Sequence, residues 1–200
     1  VLSNYNVLAI DQSFNKNSSV TFTNTNVQRK ENIGSESNVW GLIMALQDKK
    51  SNYEFNWKVN QSQVVDNGSK TNGYQAFFGI QKISGKFRYW ILKNIESDTY
   101  NPNDLGFLYN NNEIAQYAGL SYQIIKPTKL FLEYKTGLDI EYNQLYSPKK
   151  FSEFSIRFEQ FATFKNYLTW GFYSKIEPVY EHDYFEARAG LEQVFKRSDY

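Results

Sequence analysis

The segment from Leu130 to Tyr142 constrains the fold more than any other part of the chain. Its alternate residues form two sets, since a β-strand turns successive side chains to opposite faces. The apolar set is Leu130, Leu132, Tyr134, Thr136, Leu138, Ile140 and Tyr142, and the second set is Phe131, Glu133, Lys135, Gly137, Asp139 and Glu141. A helix would spread these charges around its axis. The segment is also longer than the ~9–11 residues with which a tilted strand crosses a bilayer. The pattern therefore predicts one strand of a transmembrane β-barrel.

The composition fits such a barrel and argues against other classes of protein. No run approaches the ~18 apolar residues of a membrane helix, and the mean hydropathy is −0.61. The 22 basic and 21 acidic residues almost cancel, whereas nucleic-acid binding proteins concentrate basic charge on one face. Aromatic residues are abundant, with 16 Tyr, 16 Phe and 4 Trp, and membrane barrels need them at both interfaces. Cysteine is absent, so we expect neither disulfides nor a thiolate site.

Alternation and turn residues divide the 200 residues into about eleven strands. The predicted strands are 1–10, 19–27, 39–46, 53–60, 74–82, 87–95, 114–124, 130–142, 153–163, 167–176 and 184–195. All four prolines fall between them, as expected because proline cannot donate to a central ladder. The short turns lie near Asn15, Lys49, Ser84, Pro127 and Lys165, and the long loops near Glu31, Gly68, Pro102, Pro148 and Tyr180. This alternation predicts an all-β, antiparallel up-and-down barrel with short periplasmic turns and longer extracellular loops.

The strand count indicates that residues 1–200 are part of one larger barrel domain. Bacterial single-chain barrels have even strand numbers, and an open edge within hydrocarbon is not viable. We therefore expect that other strands close the wall. A soluble β-sandwich or a lipocalin-like barrel is the alternative fold. In that fold Leu132, Tyr134, Leu138 and Ile140 would point into a core.

A loop motif adds a resemblance to a known family. The motif is Asn101-Pro-Asn-Asp-Leu-Gly-Phe-Leu108, followed by Asn-Asn-Glu at 111–113. With it, the chain resembles the large Gram-negative outer-membrane barrels whose C-terminal part is domain of unknown function 5916. Other similar stretches are Thr23-Asn-Thr-Asn-Val27, Ile83-Ser-Gly-Lys-Phe-Arg88, Phe164-Lys-Asn-Tyr167 and Asp183-Tyr-Phe-Glu186. The family often has Pro before Arg where this chain has Ala187 before Arg188.

The resemblance implies a location and a domain context but no reaction. It implies the bacterial outer membrane, and a soluble domain similar to carbohydrate-binding module family 9 ahead of the barrel. Neither that domain nor the closing strands of the barrel lie within these residues. The exterior-facing loop motif is Asn101, Pro102, Asn103, Asp104, Leu105, Gly106 and Phe107.

Charged residues that share one face by alternation are the candidate lumen-facing sites. They are Glu54, Lys58, Arg88, Glu133, Lys135, Asp139, Glu141, Arg157, Glu159, Glu186 and Arg188. They could line a ligand path, or form ion pairs that fill the polar interior that every such barrel has. Four glycines, Gly79, Gly137, Gly171 and Gly190, fall on the same face. Their small size suggests a crowded or plugged lumen.

No catalytic, cofactor or metal site emerges from the sequence. His182 is the single histidine, and we interpret it as a solvated loop residue because no nucleophile is placed near it. We expect a barrel that contacts outer-membrane lipid and binds or passes a ligand, for which a glycan is a candidate, or docks a surface partner. We expect no nucleic-acid partner. The alternatives are a structural subunit of an outer-membrane protein complex and an outer-membrane hydrolase that uses His182.

Overall fold

In the described part of the chain the regular structure is entirely β, as the sustained alternation of polar and apolar side chains predicts. The computed structural model describes residues 3–29, 34–102, 108, 110–185 and the backbone of 195–197. Its strands are β1 (Ser3–Phe14), β2 (Ser18–Arg29), β3 (Glu36–Gln47), β4 (Tyr53–Asp66), β5 (Ser69–Lys82), β6 (Phe87–Glu96), β7 (Glu113–Ile124), β8 (Phe131–Leu145), β9 (Phe151–Phe164), β10 (Thr169–Ile176), β11 (Glu181–Asp183) and β12 (Phe195–Arg197). Among these residues no helix is long and apolar enough to cross a membrane.

Strands β1 to β10 form one antiparallel sheet in which every strand pairs with its neighbours in sequence. The short strands β11 and β12 pair separately. Sequential antiparallel pairing needs only hairpin connections, and no crossover connection links the strands of this sheet. The predicted all-β, antiparallel up-and-down arrangement is confirmed.

The strand predicted at residues 130–142 is confirmed as β8, with one correction. β8 is 15 residues long and pairs with β7 and β9. The sequence places Phe131 with the charged set. In the structure Phe131 pairs with Phe164, and Glu133 pairs with the adjacent residue of β9, Thr163. Leu132 is therefore an extra residue of β8 with no partner in the ladder with β9. Such a β-bulge reverses the alternation locally. Phe131 therefore joins the apolar residues.

The predicted long loop near Gly68 is wrong. β4 continues to Asp66 and β5 begins at Ser69, so the connection is the two-residue turn Asn67-Gly68. Both turn residues have positive φ, 48° for Asn67 and 78° for Gly68, as the type I′ hairpin turn requires. The polar stretch from 61 to 72 belongs to strands whose side chains are hydrophilic, and its polarity is not that of a loop.

The C-terminal part differs from the prediction where it is described. Residues 181–183, expected in a loop, form β11 instead. Most of the strand predicted at 184–195 lies outside the described residues. Residues 103–107 of the loop motif also lie outside them, as do Glu186 and Arg188.

The sheet is not closed into a barrel. Within the described residues β1 and β10 stand at the two ends of the strand order. The surface area is 13214 Å², against about 9,800 Å² expected for a folded monomer of this mass. The difference arises because no second layer covers either face of the sheet among the described residues. Many large apolar side chains are consequently exposed.

Candidate functional site

From β5 to β10 the register of the sheet places a polar row and an apolar row of side chains on opposite faces. Residues that pair directly share a face, and sequence neighbours lie on opposite faces. One row of directly paired residues, from β3 to β10, is Gln47, Glu54, Gln81, Trp90, Gly119, Asp139, Arg157 and Lys175. The adjacent row on the other face, from β5 to β10, is Ile80, Ile91, Ala118, Ile140, Ile156 and Ile176. We name the faces that contain these rows the polar face and the apolar face.

All the described lumen-facing candidates share the polar face. They are Glu54, Lys58, Arg88, Glu133, Lys135, Asp139, Glu141, Arg157 and Glu159. Two further candidates, Glu186 and Arg188, lie outside the described residues. The assignment of this face to a lumen stays a prediction, since the sheet is open.

The carboxylate of Glu54 is surrounded by amide donors near the short-turn end of the polar face. Gln47 on β3 donates to Glu54 Oε2 at 2.6 Å. Asn56 on β4 and Gln81 on β5 both donate to Oε1 at 2.5 Å. Three strands are thereby joined through one charge, and hydrogen bonds to ionised groups are about twice as strong as neutral ones. Sequence analysis missed Gln47, Asn56 and Gln81, because only charged residues were selected.

Trp90 occupies the middle of the polar face. Its indole ring lies on Gly119 of β7, where a Cβ would overlap the ring and would lie 2.6 Å from Asp139 Oδ1. The indole N–H donates to the Asp139 carboxylate. Glycine at 119 thus permits a flat aromatic ring to lie on the backbone of the sheet.

Ion pairs connect β8, β9 and β10 on the same face. Arg157 lies 3.0 Å from Glu141 and Lys135 lies 2.5 Å from Glu159. The Lys135 and Glu159 side chains are 47% and 44% exposed, so this pair contributes at most about 1 kcal/mol. Lys175 bonds to Glu153 at 3.0 Å and also to Glu177. These pairs support the interpretation of a salt-bridged polar surface.

The segment Ser97–Asn101 follows β6 and lies on the polar face of β4 and β5. Ser97 and Tyr74 exchange two hydrogen bonds, from Ser97 N to Tyr74 O and from Tyr74 N to Ser97 Oγ, each 2.9 Å. Asn101 N donates to Ser62 Oγ at 3.0 Å, and Asn60 Nδ2 donates to the Tyr100 hydroxyl at 3.2 Å. Tyr100 is 3% exposed. Its burial raises the pKa of its phenol, an effect that the bond from Asn60 partly opposes.

Aromatic rings gather at both ends of the strands on the apolar face. At the short-turn end, Phe131 contacts Tyr134 and Phe164 with ring centroids 5.2 and 5.1 Å apart, and Tyr134 also contacts Tyr122 at 6.5 Å. At the loop end, Tyr74 packs edge-on against Tyr146 at 5.8 Å and donates to its hydroxyl at 2.9 Å. The band between the two ring clusters contains aliphatic side chains and further rings, such as the pair Phe158 and Phe172 with centroids 6.0 Å apart.

One exposed turn carries a perturbed carboxyl group. Asp48, between β3 and β4, accepts backbone hydrogen bonds from Tyr53 at 2.8 Å, Asn52 at 2.5 Å and Lys50 at 3.3 Å. These bonds, that from Tyr53 first, lower the pKa of the Asp48 carboxyl below its ordinary value. The carboxylate form therefore holds the turn in place.

His182 lies in the short strand β11, which corrects its predicted place in a loop. Its ring meets Phe151 edge-on at 5.8 Å and Tyr184 at 6.3 Å. The Tyr184 hydroxyl donates to Phe151 O at 3.0 Å. His182 is thus part of an aromatic cluster that attaches β11 to β9.

The described residues contain no group of three or more His, Asp or Glu side chains arranged to hold a metal ion. Of the loop motif at 101–108, Asn101, Pro102 and Leu108 are described. The described part of the chain offers amides, carboxylates and an indole on one face, which can bind polar ligands by hydrogen bonding.

The fold and the two faces define the class of this chain as an antiparallel meander sheet with one mainly polar and one mainly apolar face. The chain belongs to the family of domains of unknown function DUF5916, whose model matches residues 1–200. The predicted match to domain of unknown function 5916 is thereby confirmed, and the outer-membrane barrel stays a prediction. No curated protein and no solved structure matches the chain.

Proposed function

We propose that this chain is part of the wall of an outer-membrane β-barrel whose polar face surrounds a lumen that binds or passes a ligand. The observation that carries the proposal is the pair of adjacent rows described above. Among the described residues no protein layer covers the isoleucine row: Ile80, Ile91, Ile140 and Ile176 are 43%, 60%, 40% and 57% exposed. Burying each such side chain is worth about 1.5–3 kcal/mol. Lipid is a cover that suits a continuous apolar band of this width.

The dimensions of the band support the same proposal. On β8 the band runs from Tyr134 to Tyr142, which is about 26 Å at ~3.3 Å per residue. A strand tilted by ~40° therefore carries it about 20 Å along the membrane normal, close to the ~25 Å apolar height of outer-membrane barrels. The aromatic clusters at its two ends correspond to the interfacial girdles of such barrels.

The polar face supports a role in binding or passing a hydrophilic ligand. Its amides, carboxylates and the Trp90 ring are groups that hydrogen bond to hydroxyls and pack against the apolar side of a sugar ring. A glycan-derived ligand is the candidate that the family resemblance adds. That link rests on association alone.

Partitioning of the native full-length protein tests the barrel. We expect recovery in the outer-membrane fraction and, after detergent extraction, a gel mobility that shifts on boiling. A product that stays soluble without detergent and shows no shift would contradict the proposal. The apolar face would then belong to the interior of a soluble fold.

A further inference from the structure

We infer that the segment Ser97–Asn101 is a constriction inside the lumen, held against the wall at β4 and β5 near the loop end. The inference rests on the proposed function, because the polar face is a lumen only in a closed barrel. It goes further by assigning one segment of the chain to the control of passage.

The backbone of Gly73 shows on which side the segment lies. Gly73 pairs with Ser62 on β4, and both belong to the polar face. A Cβ at Gly73 would overlap the backbone of Thr99 and Tyr100. The segment therefore lies directly on the polar face and does not project beyond the end of the sheet. Glycine is required at 73 for this close approach.

Hydrogen bonds hold the segment in place from both described parts of the β6–β7 connection, the outgoing limb after β6 and the returning limb before β7. On the outgoing limb, Thr99 Oγ1 donates to Asn72 O at 2.7 Å. On the returning limb, Asn111 Nδ2 donates to Asp98 O at 3.0 Å and to Tyr100 O at 2.9 Å. Long surface connections usually move freely unless such bonds hold them. This one is fixed.

Asn112, which precedes β7, also joins the segment to the neighbouring end of β8. Asn112, 5% exposed, donates from its backbone to Ser97 O at 3.3 Å. Its side chain exchanges two bonds with the backbone of Ser147, at 2.9 Å from Nδ2 and 2.8 Å to Oδ1. The segment is thus held to the strand ends on both sides of it, β4 and β5 on one side and β7 and β8 on the other. In a closed barrel, a segment that lies on the polar face reduces the diameter of the passage, which limits solute size.

Replacement of one glycine, with a matched control, tests this inference. Gly73→Ala places a methyl group where the Tyr100 backbone lies and should displace the segment. Gly171→Ala makes the same change on the polar face of β10, where the nearest atoms are 3.9 Å away. The full-length protein and both variants are reconstituted in phospholipid vesicles, and swelling is followed with a monosaccharide and a trisaccharide.

We expect faster swelling and a larger size limit for Gly73→Ala, and wild-type behaviour for Gly171→Ala. A Gly73→Ala protein that keeps its boiling-dependent mobility shift and swells like the wild type would overturn the constriction while leaving the barrel intact. If Gly73→Ala does not fold, Tyr100→Ala replaces it. Its control is Tyr173→Ala, at an exposed position of the polar face. We again expect faster swelling for the variant in the segment and wild-type behaviour for the control. A wild-type protein without membrane partition or mobility shift refutes the proposed function itself, and the constriction with it.

Discussion

The loss of stability caused by an arginine on each face of the sheet should distinguish a lipid-facing surface from a lumen-facing one. Leu138 lies on the apolar face, four residues from Tyr134 and four from Tyr142 on β8. It is therefore about 13 Å along the strand from either aromatic ring, or about 10 Å in depth for a tilt of ~40°. Leu138→Arg should cost about 2–4 kcal/mol, as at a bilayer midplane. At 1.4 kcal/mol per factor of ten, the folding equilibrium falls about 30- to 700-fold.

Leu92→Arg is the matched control, because Leu92 is a half-buried leucine on the polar face. Leu92 pairs with Tyr117, which in turn pairs with Glu141, so the new charge meets water and carboxylates. We expect a smaller loss of about 1 kcal/mol, typical of a point substitution, because Leu92 packs over Gly79 but does not face lipid. The assay is denaturant titration of the full-length protein in phospholipid vesicles, read from the fraction with folded gel mobility. Equal losses for the two variants, or a larger loss for Leu92→Arg, would refute the assignment of the faces.

Three further predictions follow from individual contacts. Gly119→Ala should destabilise the protein by about 1–3 kcal/mol, since its methyl group would overlap the indole of Trp90. Denaturant titration measures this loss of stability, with Gly171→Ala as the control variant. The pKa of Asp48 is lower in the folded state than in the unfolded state. Its carboxylate therefore stabilises the turn above the ordinary carboxyl pKa, and this stabilisation is lost as the pH falls through the lowered pKa. We expect proteolysis of the turn to increase with acid, and Asp48→Asn to abolish that pH dependence. Glu96 and Glu113 pair directly on the polar face and form no ion pair among the described residues. A conducting lumen should therefore prefer cations. Replacing both residues by Gln should reduce the reversal potential measured in a salt gradient.

Much of the sheet can be predicted from the sequence because its information is local. Alternation over residues 130–142 identifies β8 and assigns its faces without knowledge of any partner strand. The Asn67-Gly68 hairpin was also readable, since Asn-Gly is a strong turn signal. It was missed because hydrophilic strands were interpreted as a loop.

The segment that follows β6 could not be predicted in the same way. The bond from Asn60 to Tyr100 joins residues 40 positions apart, and no local pattern encodes it. Asn, Pro and Asp around Tyr100 indicate a turn, which is correct but gives no direction for the connection. Gly73 was the available signal, because an isolated glycine in a strand can mark close approach of another backbone. The same reasoning applies to Gly119 beneath Trp90.

The open edges of the sheet impose the strictest requirement on a membrane location. Alternate N–H and C=O groups of β1 point away from β2, and β10 presents a similar edge beyond β9. Each unsatisfied group costs several kcal/mol in hydrocarbon, so an inserted sheet needs both edges paired with other strands or with each other. We therefore predict that the outward amides of Ser3–Phe14 are protected from hydrogen exchange in the vesicle-embedded full-length protein, as fully as those of β8. Rapid exchange along β1 with protection retained in β8 would show an edge in contact with water, and that result excludes a closed barrel that contains this sheet.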